Sequence, residues 1–202
     1  MLFTQLLLLL LSFLTGSIPF AVIVARLLNT PAPSLHGSKN PGATNMVRLA
    51  GKKAGLLTLL GDSLKGFLLL EILKQILLPV ILSNSFEQQA LLSLCAICIV
   101  LGHIYSIFLK FRGGKGVATS GGVLLALNFN IGITAVCLWI ISFVIFRVSS
   151  VAAIMVGIFL PITVYILEGN SFIFGTSLVL SSIMLLSHKS NIINLLFNRE
   201  QS

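Results

Sequence analysis

The sequence predicts an all-α integral membrane protein, a single domain over residues 1–202 with seven transmembrane helices, one of them short. The first observation is composition: 56% of the residues are hydrophobic, 9% are charged and the mean hydropathy is +1.07, whereas about a quarter of a soluble domain is charged. The second is that apolar runs alternate with short polar inserts along the chain. With no soluble domain left to carry a binding face, nucleic acid is excluded as a partner.

Six of the predicted spans follow from length, because a helix needs about 20 apolar residues to cross a hydrocarbon core of about 30 Å. The six apolar runs are 2–28, which Gly16 and Pro19 interrupt, and 54–82, 90–109, 131–146, 150–167 and 172–187. Polar inserts at 29–53, 83–89 and 110–116 separate the earlier runs. The tail from His188 onward is expected to form a short amphipathic or frayed helix.

The seventh span is the short run 117–127, which the next run follows after a polar break at Asn128, Asn130 and Gly132. A single helix over 117–147 would be about 45 Å long, more than the bilayer accommodates without extreme tilt. With the short span counted, one side of the membrane receives Arg26, Lys39, Arg48, Lys52, Lys53, Lys110, Arg112, Lys115, Arg147, Lys189 and Arg199. Glu87 and Glu168 fall on the other side. Because basic residues favour the cytoplasmic side, the amino terminus is predicted outside and the carboxyl terminus inside.

Two polar inserts predict a phosphate-binding site at the inner face. The stretch 35–48, LHGSKNPGATNMVR, offers Ser38, Asn40, Asn45 and Arg48, and the stretch 110–116, KFRGGKG, offers Gly113, Gly114 and Lys115. Glycines let backbone N–H groups approach an anion, lysine supplies a point charge, and arginine can contact a phosphate through two N–H groups. The short helix after Gly116 would also point its positive dipole end at the anion. The alternative is that basic, glycine-rich loops only anchor the topology and turn corners.

Other polar residues offer weaker signals. His188 and Asn191 are three residues apart, so both can face one site, and an imidazole is a natural general base for a hydroxyl; the alternative is that His188 caps the preceding span. Ser149 follows Arg147 in a third inner turn. Asp62 and Lys65 share a helix face and are expected to form a structural pair that supports neighbouring loops. For His103, helix packing and chemistry both remain open.

Several kinds of chemistry lack their sequence signals. There is no GxSxG nucleophile motif, and no histidine has an aspartate five residues further on, as coenzyme A-dependent glycerolipid acyltransferases require. Cys95 and Cys98 have CxxC spacing but no further ligands nearby, so they are expected to pack as small apolar side chains. No metal site is therefore predicted.

The motifs together resemble those of the bacterial acyl-phosphate:glycerol-3-phosphate acyltransferases, small seven-span enzymes of phospholipid synthesis. The resemblance covers GSIPF at 16–20, GSKNPGATNMVR at 37–48, GKKAGLLTLLGDSLKG at 51–66, GHIYSIFLKFRGGKGVAT at 102–119 and HKSNI at 188–192. It implies transfer of an acyl group from acyl phosphate to the 1-hydroxyl of sn-glycerol 3-phosphate, at the cytoplasmic face of the bacterial inner membrane. It also implies no cofactor, coenzyme A or metal, and no obligatory protein partner beyond the bilayer.

The resemblance also implies roles for individual residues. Ser38, Asn40, Asn45 and Arg48 would form the phosphate loop, Lys115 a second phosphate contact, and His188 with Asn191 the carboxyl-terminal pair. Ser149 would match the family serine, although Ser150 is an alternative alignment. Lys39 departs from the glycine usual in the family, and Ser187 and Ser190 replace charged residues. The competing function is a small transporter of organic phosphates, which the scarcity of basic residues at the midplane disfavours.

Overall fold

A computed structural model describes residues 2–197, which fold entirely into helices and connecting segments, without a strand in that range. The α-helices are α1 Leu2–Ser17, α2 Phe20–Leu27, α3 Ala43–Ile72, α4 Leu78–Ile81, α5 Ser85–Ile104, α6 Val117–Leu127, α7 Phe129–Phe146, α8 Ser149–Glu168, α9 Phe172–Ser187 and α10 Lys189–Leu196. A π-helical turn, Leu73–Leu77, joins α3 to α4, and a 3₁₀ turn, Ile107–Leu109, follows α5. The predicted all-α class is confirmed, while Arg199 lies outside the described residues.

Length and apolar composition qualify four segments within 2–197 to cross a membrane: Leu2–Leu27, Ser85–Leu109, Phe129–Phe146 and Ser149–Glu168. The pair α9 and α10, bent by 58°, makes a fifth if it counts as one span. The short apolar helix α6 has the bounds predicted for it. Helix α3 is long enough, but it carries charged residues in its apolar half, including Asp62 and Lys65. The count of seven spans and the orientation of the termini stay predictions.

The polar insert 29–53 was expected to be a loop, and this expectation is wrong for its second half. Helix α3 begins at Ala43, and Gly51 interrupts its helical backbone with φ 81° and ψ 179°. Residues 43–50 therefore form a separate arm, which packs through Met46 on the buried face of α2. Only one side of the arm is buried, so the arm is amphipathic. The polar residues on its other side made the segment resemble a loop in the sequence.

The turn predicted at 83–89 is also shorter than expected. Helix α5 begins at Ser85, where the Asn84 side chain caps it by accepting a hydrogen bond from the Phe86 backbone N–H at 2.9 Å. An asparagine cap followed by an acidic first turn, here Glu87, stabilises a helix amino terminus. Polar residues at this position therefore belong to the first turn of a helix and not to a loop.

The break between α1 and α2 is the point where the amino-terminal span contacts α3 and the end of α5. Pro19 has no N–H and cannot continue α1, so the carbonyl groups of Ser17 and Ile18 need partners from elsewhere. Ser106 Oγ donates to Ser17 O at 2.6 Å, and Lys65 Nζ donates to Ile18 O at 2.8 Å. The break therefore fixes the end of α5 and the middle of α3 against the amino-terminal span.

Close backbone packing positions α5 and α6 inside the bundle. A Cβ atom at Gly16 would overlap the Ile99 carbonyl, one at Gly102 the Phe13 carbonyl, and one at Gly122 the Ser63 carbonyl. The first two contacts hold α1 against α5, and the third holds α6 against α3. At its far end, α6 is capped by Lys74, whose Nζ donates to Ala126 O at 2.8 Å. Helix α6 thus packs closely on α3 at its middle and is held at its far end.

Candidate active site

A buried ionic cluster lies where α1, α3 and α5 meet. Lys65 Nζ lies 2.8 Å from Asp62 Oδ1 and 2.9 Å from His103 Nδ1, and His103 Nδ1 is 3.5 Å from the same carboxylate oxygen. All three side chains are buried. Since Lys65 also donates to the Ile18 carbonyl, one ammonium group joins α3, α5 and the break that follows α1. Asp62 and Lys65 thus form the pair that their spacing predicted.

The Gly113–Gly114 segment lies directly on His103. A Cβ atom at Gly114 would overlap His103 Nε2, and one at Gly113 would overlap the His103 carbonyl oxygen. The N–H of Gly113 donates to Ile104 O at 2.9 Å, and the N–H of Gly114 to His103 O at 3.2 Å. These two N–H groups, which the sequence suggested as anion donors, bind protein carbonyls instead. Both glycines allow the loop to pass over His103 and so place the next residue, Lys115.

Lys115 connects this loop to the carboxyl-terminal helices. Its Nζ donates to Asn191 Oδ1, and its backbone carbonyl accepts a hydrogen bond from Ser187 Oγ at 3.0 Å. Gly116, with φ 85°, then starts α6. We call Lys115, Ser187, His188 and Asn191 the Lys115 cluster. The structure therefore brings together the second basic loop and the His188/Asn191 pair, which are far apart in sequence.

His188 is buried, with 3% of its surface exposed, at the bend between α9 and α10. Its Nδ1 lies 2.8 Å from Met184 O. A carbonyl oxygen can only accept, so the contact places the proton on Nδ1 and, in the neutral ring, the lone pair on Nε2. His188 thus caps α9 as one alternative predicted, while its second nitrogen has the form that a general base requires.

Asn45 organises the first polar loop from within. It is 1% exposed, its Oδ1 accepts from the Ser38 N–H at 3.0 Å, and its Nδ2 donates to Pro33 O at 2.9 Å and His36 O at 3.1 Å. These bonds engage both ends of the amide within the loop. Asn45, predicted as a phosphate ligand, therefore shapes the segment that presents Ser38.

The conformation of this loop makes Lys39 less favourable than glycine at its position. Lys39 has φ 58°, as Gly37 has φ 61°, and both values fall in the left-handed region that glycine adopts without a steric penalty. At Gly37 a Cβ atom would also overlap Asn45 Oδ1. Lys39 adds an exposed positive charge where the resemblance predicts glycine, at the cost of a less favourable backbone conformation.

Ser149 meets the same polar segment from another helix. Its Oγ lies 3.1 Å from Thr44 Oγ1 at the start of the arm 43–50, and we call these two residues the Thr44 pair. Ser149 is the first residue of α8, and Arg147 before it has φ 58°. Ser38, Asn40 and Arg48 are within six residues of Thr44 in the sequence. Ser38 and Arg48 are exposed, and Asn40 is half-buried. The structure thus joins Ser149 to Thr44, a residue 105 positions earlier in the chain.

Three contributing residues were not predicted from the sequence. Thr44, Ser187 and Lys74 make the contacts that join the arm to α8, α9 to the Lys115 loop, and the π-helical turn Leu73–Leu77 to the end of α6. Hydroxyls beside glycine-rich loops are too common to identify such contacts. Within the part of the chain that the structure describes, no group of three or more His, Cys, Asp or Glu side chains is arranged to hold a metal ion.

Comparison with known proteins gives one consistent result. The model of a family described as glycerol-3-phosphate acyltransferase matches residues 6–198. Relatives with that name include one from Cupriavidus pinatubonensis, 38% identical over 94% of this chain and 91% of the relative, and one from Nitrosomonas eutropha, 40% identical over 94% and 92%.

Solved structures agree with the sequence relatives. The crystal structure of PlsY (YgiH), an integral membrane glycerol 3-phosphate acyltransferase, in its glycerol 3-phosphate form superposes with a TM-score of 0.86. It is 31% identical and covers 98% of this chain and 94% of its own. The lysophosphatidic acid form of the same protein gives a TM-score of 0.85.

Proposed function

Because this chain belongs to the glycerol-3-phosphate acyltransferase family and is a multi-pass protein of the bacterial inner membrane, we propose that its acyl donor is acyl phosphate. The products are 1-acyl-glycerol 3-phosphate and inorganic phosphate. The observation that carries the proposal is the Lys115 cluster, in which Lys115 bonds to Asn191, and Ser187 bonds to the Lys115 carbonyl and lies 3.3 Å from the buried His188 Nδ1, just before α6 begins. Such a cluster is suited to phosphate groups and to a hydroxyl that must lose a proton.

The reaction needs no protein nucleophile, because acyl phosphate is already activated. The 1-hydroxyl oxygen of glycerol 3-phosphate attacks the acyl carbonyl carbon, the carbon–oxygen bond to phosphate breaks, and inorganic phosphate leaves with the bonding electrons. The hydroxyl proton passes to His188 Nε2 or to a phosphate oxygen of a substrate. The protein contributes position and positive charge.

In this proposal one phosphate is bound by Lys115 and the other by residues of the stretch 35–48. Lys115 neutralises charge on the leaving phosphate, with Asn191 holding its ammonium group. Arg48, Ser38 and Asn40 bind the phosphate of glycerol 3-phosphate, and the Ser149 contact with Thr44 supports a role for Ser149 in the same site. Together the Lys115 cluster and the Thr44 pair form one cytoplasmic site for two phosphates, within a single seven-span domain whose carboxyl terminus is cytoplasmic.

The remaining site residues act as supports. Asn45 holds the loop that carries Ser38, and Gly113 with Gly114 sets the path of the chain to Lys115. Asp62, Lys65 and His103 form the buried ionic cluster against which Gly114 packs. In this arrangement no support residue needs to touch substrate.

The purified protein in detergent tests the proposal directly. With glycerol 3-phosphate and palmitoyl phosphate it should form lysophosphatidic acid, and with palmitoyl-coenzyme A in place of the acyl phosphate it should not. A transporter of organic phosphates would release no inorganic phosphate in detergent, where there is no membrane to transport across. Turnover with the coenzyme A ester alone would contradict the proposed donor.

The same assay with His188→Ala separates the two candidate bases. If His188 accepts the proton, its replacement lowers kcat by about 10² or more, as expected for a general base. If a substrate phosphate accepts it, kcat stays near the original value. Asn194→Ala on the exposed side of α10 is a matched control and should keep full activity.

A further inference from the structure

An aromatic and basic turn projects from the bundle between α5 and the Lys115 loop. In this turn, residues 105–112, the exposed aromatic side chains are Tyr105, Phe108 and Phe111, with 52%, 60% and 62% of their surfaces accessible. Lys110 and Arg112 flank Phe111 and are exposed as well. Aromatic rings beside basic side chains are typical of the boundary between a bilayer core and its headgroups.

The turn is held in an unfavourable backbone conformation. Lys110 and Phe111, both with a Cβ atom, have φ values of 53° and 60°, and two consecutive residues in the left-handed region are uncommon outside glycine-rich turns. The conformation is fixed by the Phe111 N–H, which donates to Ser106 O at 2.8 Å, and by Ser106 Oγ, which donates to Ser17 O. Strain held in place by the surrounding structure is a reason to look for a function.

A cavity of about 330 Å³ lies between this turn and α2. Its lining is apolar except for one cation and consists of Pro19, Val22, Ile23, Arg26, Phe108 and Leu109. Arg26 is exposed in the last turn of α2. The space therefore combines a wall for a hydrocarbon chain with a guanidinium group near its edge.

We propose that this cavity binds an anionic phospholipid of the surrounding bilayer, with an acyl chain along the cavity and its phosphate on Arg26. Charge favours this occupant: Arg26, Lys110 and Arg112 are positive, and neither α2 nor the turn contains an acidic residue. The aromatic side chains of the turn keep the site at the bilayer boundary, where lipids are abundant. Because the turn continues directly into Gly113 and Lys115, a bound lipid would fix the loop that carries Lys115.

Lipid retention by the full-length protein tests the proposal. The purified protein is mixed with phosphatidylglycerol or with phosphatidylcholine of the same acyl chains, and bound lipid is counted by native mass spectrometry. Phosphatidylglycerol should be retained in preference, and Arg26→Gln should weaken its binding about 5-fold, the factor expected for one basic residue near an anionic surface. Lys53→Gln, at an exposed basic position on α3, is the matched control and should bind as the original protein does.

Two results would overturn the proposal. Equal retention of both lipids, or unchanged retention in Arg26→Gln, would remove the anionic lipid from this site. An increased KM for acyl phosphate in Arg26→Gln, with phosphatidylglycerol binding unchanged, would assign the cavity to the acyl donor, which also combines a hydrocarbon chain with a phosphate. If Arg26→Gln does not fold, Lys110→Gln with Arg112→Gln carries the test, and the same reduction is expected.

Discussion

Replacing Lys115 with Met should lower kcat for acyl transfer by about 10²–10³-fold, the usual effect of removing a group that stabilises charge in the transition state. Methionine is also unbranched and only one atom shorter, but it has no positive charge and no N–H donor. Lys115 is held by Asn191 and by the Ser187 hydrogen bond to its carbonyl. The substitution therefore removes the charge while Ser187 still holds the backbone. Steady-state phosphate release from acyl phosphate measures the change.

Two controls make this result specific. Lys52→Met removes an exposed lysine at the kink of α3 and should leave kcat unchanged. Lys115→Arg keeps the charge in a different shape and should retain more activity than Lys115→Met. Activity of Lys115→Met within a few-fold of the original would show that the Lys115 cluster does not stabilise the reaction.

Removing one charge from the buried cluster should have the largest effect on stability. Asp62→Ala leaves Lys65 buried without its carboxylate partner, and breaking a buried ion pair in this way costs about 3–5 kcal/mol. Removing both charges, as in Asp62→Asn with Lys65→Met, costs less, because no uncompensated charge remains. Equilibrium unfolding in mixed detergent gives the free energy of unfolding for each variant.

The double variant is the decisive comparison. It should be more stable than Asp62→Ala, although Ile18 O still loses the hydrogen bond from Lys65. A double variant as unstable as the single one would mean that packing, and not charge, accounts for the loss. As a control away from the cluster, Glu71→Gln removes a partly exposed carboxylate 4.0 Å from Lys74 and should change stability little.

Local patterns in the sequence predicted much of the fold. Gly116 and Asn128 flank an apolar run of half the usual length, and these two signals gave α6 the bounds that the structure has. The three-residue spacing of Asp62 and Lys65 likewise predicted the ion pair that the structure has. Each of these features depends on neighbours within one helix, which periodicity and helix caps describe well.

Long-range partners explain what the sequence could not predict. The Thr44–Ser149 contact and the support of Lys115 by Ser187 join residues far apart in the chain, and no local pattern identifies them. Asn45 and the N–H groups of Gly113 and Gly114 were assigned to phosphate because their types suit it. Their hydrogen bonds to loop and α5 atoms became visible only with the packed structure.

The central claim is that the acyl group passes directly from acyl phosphate to glycerol 3-phosphate, at a site formed by the Lys115 cluster and the Thr44 pair. The most direct test mixes the protein with an excess of acyl phosphate, first without glycerol 3-phosphate, and follows phosphate release and the intact mass of the protein. The account predicts no burst of phosphate and no added mass until glycerol 3-phosphate is supplied, after which phosphate and lysophosphatidic acid form in equal amounts. A burst of one phosphate per protein, with the mass of one acyl group added to the chain, would contradict it.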